Sequence, residues 1–324
     1  MPAISASAPG KAILFGEHAV VYGQPAIAVP VTQVRAKVIV QARPDFPAGR
    51  VLLQAPEIGL ENILANLPSD DPLASGVKSV FDELGITQPP AMTIRITSTI
   101  PVASGLGSGA AVSVAIIRAL AEFLGRKLTD VRVSALAYEI EKIHHGTPSG
   151  IDNTVVTYAV PVFFRKTGGG EPDHVETLKV SKPFTLVVCD SGIPSPTITT
   201  VSDVRQAWQD DQQHFNSLFE SVGLIVEQAK RAIEAGKIDR LGPLMDHNQQ
   251  LLAEMHVSSD ELERLIQVAR QAGASGAKLS GGGRGGNIIA LVEPESAERV
   301  SLALSSAGAV NTIVTEINSQ FAKN

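Results

Sequence analysis

The sequence predicts an α+β protein of two domains, and three observations carry that expectation. In "QVRAKVIVQA", Val34, Ala36, Val38 and Val40 alternate with more polar neighbours, and in "MTIRITSTI" Met92, Ile94 and Ile96 do the same, as half-buried strands of a mostly antiparallel sheet would. The run from Ala110 to Leu124 is apolar nearly all round and directly follows a glycine-rich turn. That is the pattern of a helix buried in the middle of a domain. In the last part of the chain, "NIIALV" and "NTIVTEI" read as strands separated by the helical "PESAERVSLALSSAG".

Taken in order, the buried helix ends at Gly125, a residue suited to the left-handed turn after a helix. A second helix is expected from Thr129 as N-cap to about Ile143, with Leu136, Ile140 and Ile143 at helical spacing. "RKTGGGEPDH" is a turn-rich break, equally compatible with a hairpin tip, and the domain boundary is placed just beyond it, giving domains 1–180 and 181–324. A long helical region is expected from Thr199 to about Ala235. "SSDELERLIQVARQAG" then carries Ser259 as a cap, acids in the first turn and Gly273 past the end. No period of 20 to 50 residues recurs, which excludes a solenoid.

Bulk properties narrow the function classes. The 324 residues are 44% hydrophobic and 19% charged, with a net charge of −6, so no basic surface is expected for nucleic acid. The most apolar long stretch, "AAVSVAIIRALAEFL", is interrupted by Arg118 and is too short to cross a bilayer, and the N-terminus lacks the pattern of a signal peptide. The single cysteine, Cys189, sits in the apolar "FTLVVCD", where packing in a strand is its expected role. A cytoplasmic protein with no membrane and no nucleic-acid partner is the expectation.

Two glycine-rich stretches invite a ligand: "PVASGLGSGAA" at 101–111 and "KLSGGGRGGN" at 278–287. Neither has the spacing of a Walker A loop or of a dinucleotide-binding fingerprint. The first is a strand-to-helix turn, where glycines let the backbone approach an anion and the leading N–H groups of the helix point at it. Ser108 adds a hydroxyl suited to a phosphate oxygen or Mg²⁺. A tight turn capped by serine is the plainer reading. For the second stretch, expected between a helix end and a strand, a flexible surface loop is the plainer reading. Lys278 and Arg284 at its two ends favour contact with an anion.

Charged residues could complete a chemistry. Lys11 follows a Pro-Gly turn and leads into the strand "AILF", ahead of Gly16, Glu17 and His18; a solvated strand end is the common reading of such a lysine. In "EIEKIHHGTPSGIDNTVV", Glu141 lies near a helix end and Asp152 follows the turn. Alone, one could face water and the other cap a helix. His144 and His145 have no third ligand at zinc spacing. Together the parts form a kit for phosphoryl transfer: an anion-binding backbone, a hydroxyl and a carboxylate for Mg²⁺, and a lysine and an aspartate beside a hydroxyl nucleophile.

"PGKAILFGEHAVVYG", "PVASGLGSGAA" and "KLSGGGRGGN" resemble, in order and spacing, the three motifs of the GHMP kinases, and the resemblance spans almost the whole chain. "GEHAVVYG" followed by "HGTPSGIDN" is most similar to the members that phosphorylate mevalonate. The resemblance implies an N-terminal α/β domain like ribosomal protein S5, a ferredoxin-like C-terminal domain and a cleft between them. It implies Asp152 and Lys11 as catalytic residues, and an ATP site along Pro101, Ser104, Gly105, Leu106, Gly107, Ser108, Gly109 and Ala110. Ser108 and Glu141 would hold Mg²⁺. Lys11, Glu17, His18, Ser149, Asp152, Thr197 and Gly282 would meet mevalonate. A homodimer is also implied. The lysine at position 11 separates the chain from the decarboxylase relatives that lack it. A kinase for phosphomevalonate or a sugar, or a non-catalytic sensor, are the competing expectations. The chain departs from the family pattern at Gly109, where a second serine is usual, at Arg284 for a glycine and at Asn287 for a cysteine.

Overall fold

The computed structural model describes residues 3–101, 104–145, 148–167 and 173–319. The chain divides into two compact units, each discontinuous in sequence: Met1–Gly10, Val34–Pro101 and Gly107–Tyr158 form one, and Lys11–Gln33, Val102–Leu106 and Ala159–Asn324 form the other.

The chain opens with β1 (Ala3–Phe15) and β2 (Pro25–Ala42), followed by β3 (Val51–Ala55), β4 (Leu60–Ile63), α1 (Pro72–Leu84) and β5 (Met92–Ser98). Pro9 and Gly10 lie inside β1 rather than in the expected turn, so Lys11 is a mid-strand residue. In the first unit the strand order is β4-β3-β5-β2, antiparallel except for the parallel pair β3 and β5, with β1 beside β2. The alternation read from the sequence is realised: Ala36, Val38, Val40, Met92, Ile94 and Ile96 are buried. Among the described residues, the helices of this unit are α1, α2 (Ser108–Phe123), α3 (Asp130–His145) and α4 (Ile151–Tyr158). The central helix is α2, buried nearly all round as its composition requires, and it packs against α1, α3 and α4. Thr129 precedes α3 as expected, its hydroxyl accepting from the Arg132 N–H at 3.4 Å.

In the second unit, Pro25–Ala28 of β2 pair with β6 (Val162–Arg165), which pairs with β7 (His174–Thr177). Because β6 and β7 run antiparallel, the glycine-rich segment between them joins the two arms of a hairpin; its residues 168–172 lie outside the described ones. A four-stranded antiparallel sheet follows, ordered β11-β8-β10-β9, from β8 (Phe184–Asp190), β9 (Gly276–Ser280), β10 (Asn287–Val292) and β11 (Asn311–Ile317). Cys189 is buried in β8, and burial beside Asp190 pushes its thiol up to about 12.

The helices of this unit are α5 (Thr197–Asp210), α6 (Gln212–Glu234), α7 (Leu241–Glu254), α8 (Asp260–Gln271) and α9 (Ala297–Ser306). The helical region expected from 199 to 235 is formed by two helices, α5 and α6. Asp211 leaves helical geometry at φ −140° and caps α6 with its carboxylate, accepting from the His214 N–H at 3.0 Å. Ser259 caps α8 as read from the sequence. Among the described residues, no helix is long and apolar enough to cross a membrane.

Candidate functional site

The second unit holds the first motif from Lys11 onward, the third motif and residues 102–106 of the middle one. One buried hydroxyl ties two of its strands together. Ser280, at the end of β9, accepts from the Ile13 N–H and donates to the Ile13 carbonyl, both at 3.0 Å, and so stitches β1 to the strand that enters the third motif. Lys11, two residues earlier in β1, is 5% exposed, and its N–H donates to the Leu106 carbonyl at 2.9 Å. On the neighbouring stretch, the side-chain amide of Asn287 at the start of β10 donates to the Ser104 carbonyl. Asn287 therefore holds backbone, a use for an amide where the family pattern has a thiol.

Glu17 and His18 follow β1. Glu17 is 1% exposed, and one carboxylate oxygen is ion-paired with Lys278, itself fully buried in β9. The Lys278 ammonium also donates to the Leu279 carbonyl. Burial pushes the Glu17 carboxyl above its usual range and the Lys278 ammonium below its own, each partly offset by the other's charge. The anion contact expected of Lys278 is thus taken internally by Glu17. The sequence signal was available: a lysine between Ala277 and Leu279 in a buried strand demands a buried acid.

His18 stands at φ 60° and donates from Nε2 to the Gly282 carbonyl at 3.1 Å, which fixes the tautomer of the neutral ring. Burial lowers its pKa to about 4, against that hydrogen bond and with help from the charges of Arg284 and Lys278. Past His18, a short 3₁₀ turn, Ala19–Tyr22, stacks Tyr22 on Phe219 of α6 with ring centroids 4.1 Å apart.

The third motif is the hairpin loop between β9 and β10, rather than a link from a helix to a strand. It lies against the segment leading into α5. Ser195 donates to the Gly283 carbonyl at 2.9 Å, and a Cβ at Gly282 would stand 2.7 Å from the Thr197 hydroxyl oxygen. Only glycine allows that approach. Arg284 takes its anion from within the chain: its guanidinium is ion-paired with Asp203 of α5 and donates to the His256 carbonyl at 3.0 Å.

The first unit holds the rest. Gly107, in the left-handed region at φ 71°, begins α2, and no side chain caps the helix, so the serine-capped turn is not what forms. Ser108 is the first residue of α2, with Gly109 and Ala110 behind it. Glu141 lies on α3, buried. Ser149 accepts from the Ile151 N–H at 3.4 Å, and Asp152 lies in the first turn of α4. Asn153, next to it, donates to the Ser134 carbonyl at 3.0 Å and to its hydroxyl at 2.9 Å, fixing α4 on α3. Among the described residues, no three His, Cys, Asp or Glu side chains gather as a metal site. The side chains of His144 and His145 are outside the described residues.

Of the expected residues, Lys11, Glu17, His18, Ser104, Gly105, Leu106, Thr197 and Gly282 thus belong to one unit. Pro101, Gly107, Ser108, Gly109, Ala110, Glu141, Ser149 and Asp152 belong to the other.

An uncapped helix start behind a glycine turn, a second glycine loop and a buried lysine suit an ATP-dependent kinase of small molecules, and comparison with known proteins shows that class. The profile described as "GHMP kinases N terminal domain" matches residues 73–159, and "GHMP kinases C terminal" matches 229–310. The chain belongs to the GHMP kinase family. Within it, similarity is high to curated mevalonate kinases. The protein of Thermococcus sibiricus is 34% identical across 97% of this chain and 96% of its own length, and that of Pyrococcus furiosus is 34% identical over the same shares. A crystal structure of L. major mevalonate kinase in complex with R-mevalonate superposes with a TM-score of 0.85 at 31% identity, covering 98% of this chain and 97% of that one.

Proposed function

We propose that this protein transfers the γ-phosphoryl group of ATP to the primary hydroxyl of (R)-mevalonate, giving 5-phosphomevalonate and ADP. The observation that carries the reading is similarity along the full length to mevalonate kinases, one of them in complex with R-mevalonate.

In this reading the ATP phosphates lie along the first glycine stretch, Pro101 to Ala110, at the start of α2, where backbone N–H groups and the helix dipole favour negative charge. Asp152 takes or orients the proton of the attacking hydroxyl as the new O–P bond forms and the bond to the β-phosphate breaks. Lys11 balances negative charge at the reacting oxygen. Glu17, His18, Ser149, Thr197 and Gly282 shape the acceptor end, with Glu17 and His18 acting from buried positions. Ser108 and Glu141 supply a hydroxyl and a carboxylate, hard oxygens that fit Mg²⁺, which commonly takes one or two protein donors beside phosphate and water. Bound there, the ion would neutralise phosphate charge. Residues 1–180 carry the ATP and Mg²⁺ side of this reading together with Lys11, Glu17, His18, Ser149 and Asp152, and 181–324 add Thr197 and Gly282. A homodimer in the cytoplasm completes it.

The test is ATP turnover with mevalonate, phosphomevalonate, galactose and homoserine, with and without Mg²⁺, for the wild type and Asp152→Asn. Mevalonate should be preferred, and the variant should lose turnover by orders of magnitude while ATP still binds. Equal turnover of galactose or homoserine would remove the substrate assignment, and an active Asp152→Asn would remove Asp152 from its role.

A further inference from the structure

The helix α5 is fixed more by polar contacts than by burial. Of its residues Thr197–Asp210, only Thr200 and Val204 are buried. Its leading segment is laced to the third motif: the Ser191 N–H donates to the Gly286 carbonyl at 2.9 Å, the Gly286 N–H to the Ile193 carbonyl at 2.7 Å, and Ser195 to the Gly283 carbonyl at 2.9 Å. One further connection reaches the body of the helix, the ion pair between Asp203 and Arg284.

Arg284 is well placed to act as a fixed post. Its N–H donates to the Val257 carbonyl at 2.7 Å and its Nε to the His256 carbonyl at 3.0 Å, so the guanidinium is anchored on the link between α7 and α8 before it meets Asp203. Its backbone is at φ 54°, a conformation that costs an arginine energy and a glycine none. Such strain persists where the surroundings hold it, and here the side chain is what they hold. The far end of α5 is pinned separately. Trp208 donates to Asn216 Oδ1 at 2.9 Å and lies 5.4 Å, centroid to centroid, from Tyr22. Losing the Arg284 contact would therefore loosen the first half of the helix without detaching it.

We propose that Arg284 is a positioning residue: by holding Asp203, it sets where α5 carries Thr197 over Gly282, and so tunes affinity for the acceptor substrate rather than for ATP. This rests on the reading of Thr197 as a residue of the acceptor end. A partly exposed pair contributes at most about 1 kcal/mol, so the effect on affinity is about fivefold.

The experiment compares the wild type, Arg284→Gly, Asp203→Asn and the double variant Arg284→Gly/Asp203→Asn. Each single variant should raise KM for mevalonate about fivefold, leave KM for ATP within about twofold and speed amide hydrogen exchange in residues 197–204. The double variant should be no worse than either single variant, because both remove the same pair, whereas two unrelated structural defects would add. An unchanged KM for mevalonate in both single variants, an equal rise in KM for ATP, or additive losses in the double variant overturns the proposal. Should the wild type ignore mevalonate, it is the substrate reading that fails; the exchange data still decide the positioning claim, and unaltered exchange in 197–204 overturns it.

Discussion

Replacing Lys278 with methionine perturbs a fully buried charge. Lys278 is fully buried and Glu17 is 1% exposed; one Glu17 oxygen accepts from the ammonium, and the other has no hydrogen-bond partner. With the lysine gone, the carboxylate keeps its desolvation and loses its main compensation. Removing one partner of such a pair typically costs about 3 to 5 kcal/mol. For a folding unit of roughly 200 residues this corresponds to a fall in Tm of about 10 °C. Two controls separate the charge from the lost packing. Glu17→Gln combined with Lys278→Met removes both charges and should be more stable than Lys278→Met alone by about 2 kcal/mol. The penalty should also depend on pH with a definite sign. Burial already raises the Glu17 carboxyl, and without the ammonium it rises further, so the folded variant binds a proton more tightly than the unfolded chain. Its deficit should therefore shrink as pH falls toward the ordinary carboxylate value of 4.5 and be fully present at pH 8. Calorimetry of the wild type, Lys278→Met and the double variant at pH 5 and pH 8 measures all of this. A single variant melting within about 2 °C of the wild type at pH 8, or one whose deficit grows toward acid, would refute the reasoning.

Three further outcomes follow from the same structure. His18, with a pKa of about 4 in the fold against 6.5 when unfolded, contributes stability present above pH 6.5 and lost as pH falls toward 4. The loss reaches about 3 kcal/mol, and urea unfolding of His18→Gln should show a flatter profile over that window. Gly283→Ala would put a Cβ 2.0 Å from the Val257 carbonyl oxygen at φ 79°, and thermal melting should show a loss above about 2 kcal/mol, whereas Gly109→Ala meets nothing within 4 Å and should melt like the wild type. Ser108→Ala should weaken Mg²⁺-dependent turnover more than Gly109→Ala does, as read from Mg²⁺ titrations of the initial rate; equal effects would take the metal away from the Ser108 hydroxyl.

The elements legible in the sequence were those whose pattern reports burial directly. The composition of α2 allowed no other place than a core, and the alternation around Val38 and Ile94 matched the faces of β2 and β5. Ser259 was legible because the hydroxyl, the acids and the terminal glycine all agreed. What escaped depended on partners distant in sequence. Pro9 and Gly10 look like a turn, yet among the described strands β1 pairs with β2, and a strand laddered on one side tolerates a proline that donates no ladder bond. Asp211 was hidden in a run of polar residues that a helix also accepts, although its carboxylate three positions before His214 is a capping signal. The site divides in the same way. The residue types and their spacing identified the glycine stretches, Lys11, Glu141 and Asp152, whereas the use of Lys278 on Glu17, Asn287 on Ser104 and Arg284 on Asp203 was fixed only by pairings across more than 80 positions.

The central claim is the transfer itself, and ³¹P NMR of a reaction containing the protein, ATP, Mg²⁺ and (R)-mevalonate tests it most directly. The account predicts one new phosphate monoester on the primary hydroxyl of mevalonate for each ADP formed, with no comparable ester from galactose or homoserine. ADP released without that ester, or an ester formed as quickly on either of the other two alcohols, would contradict it.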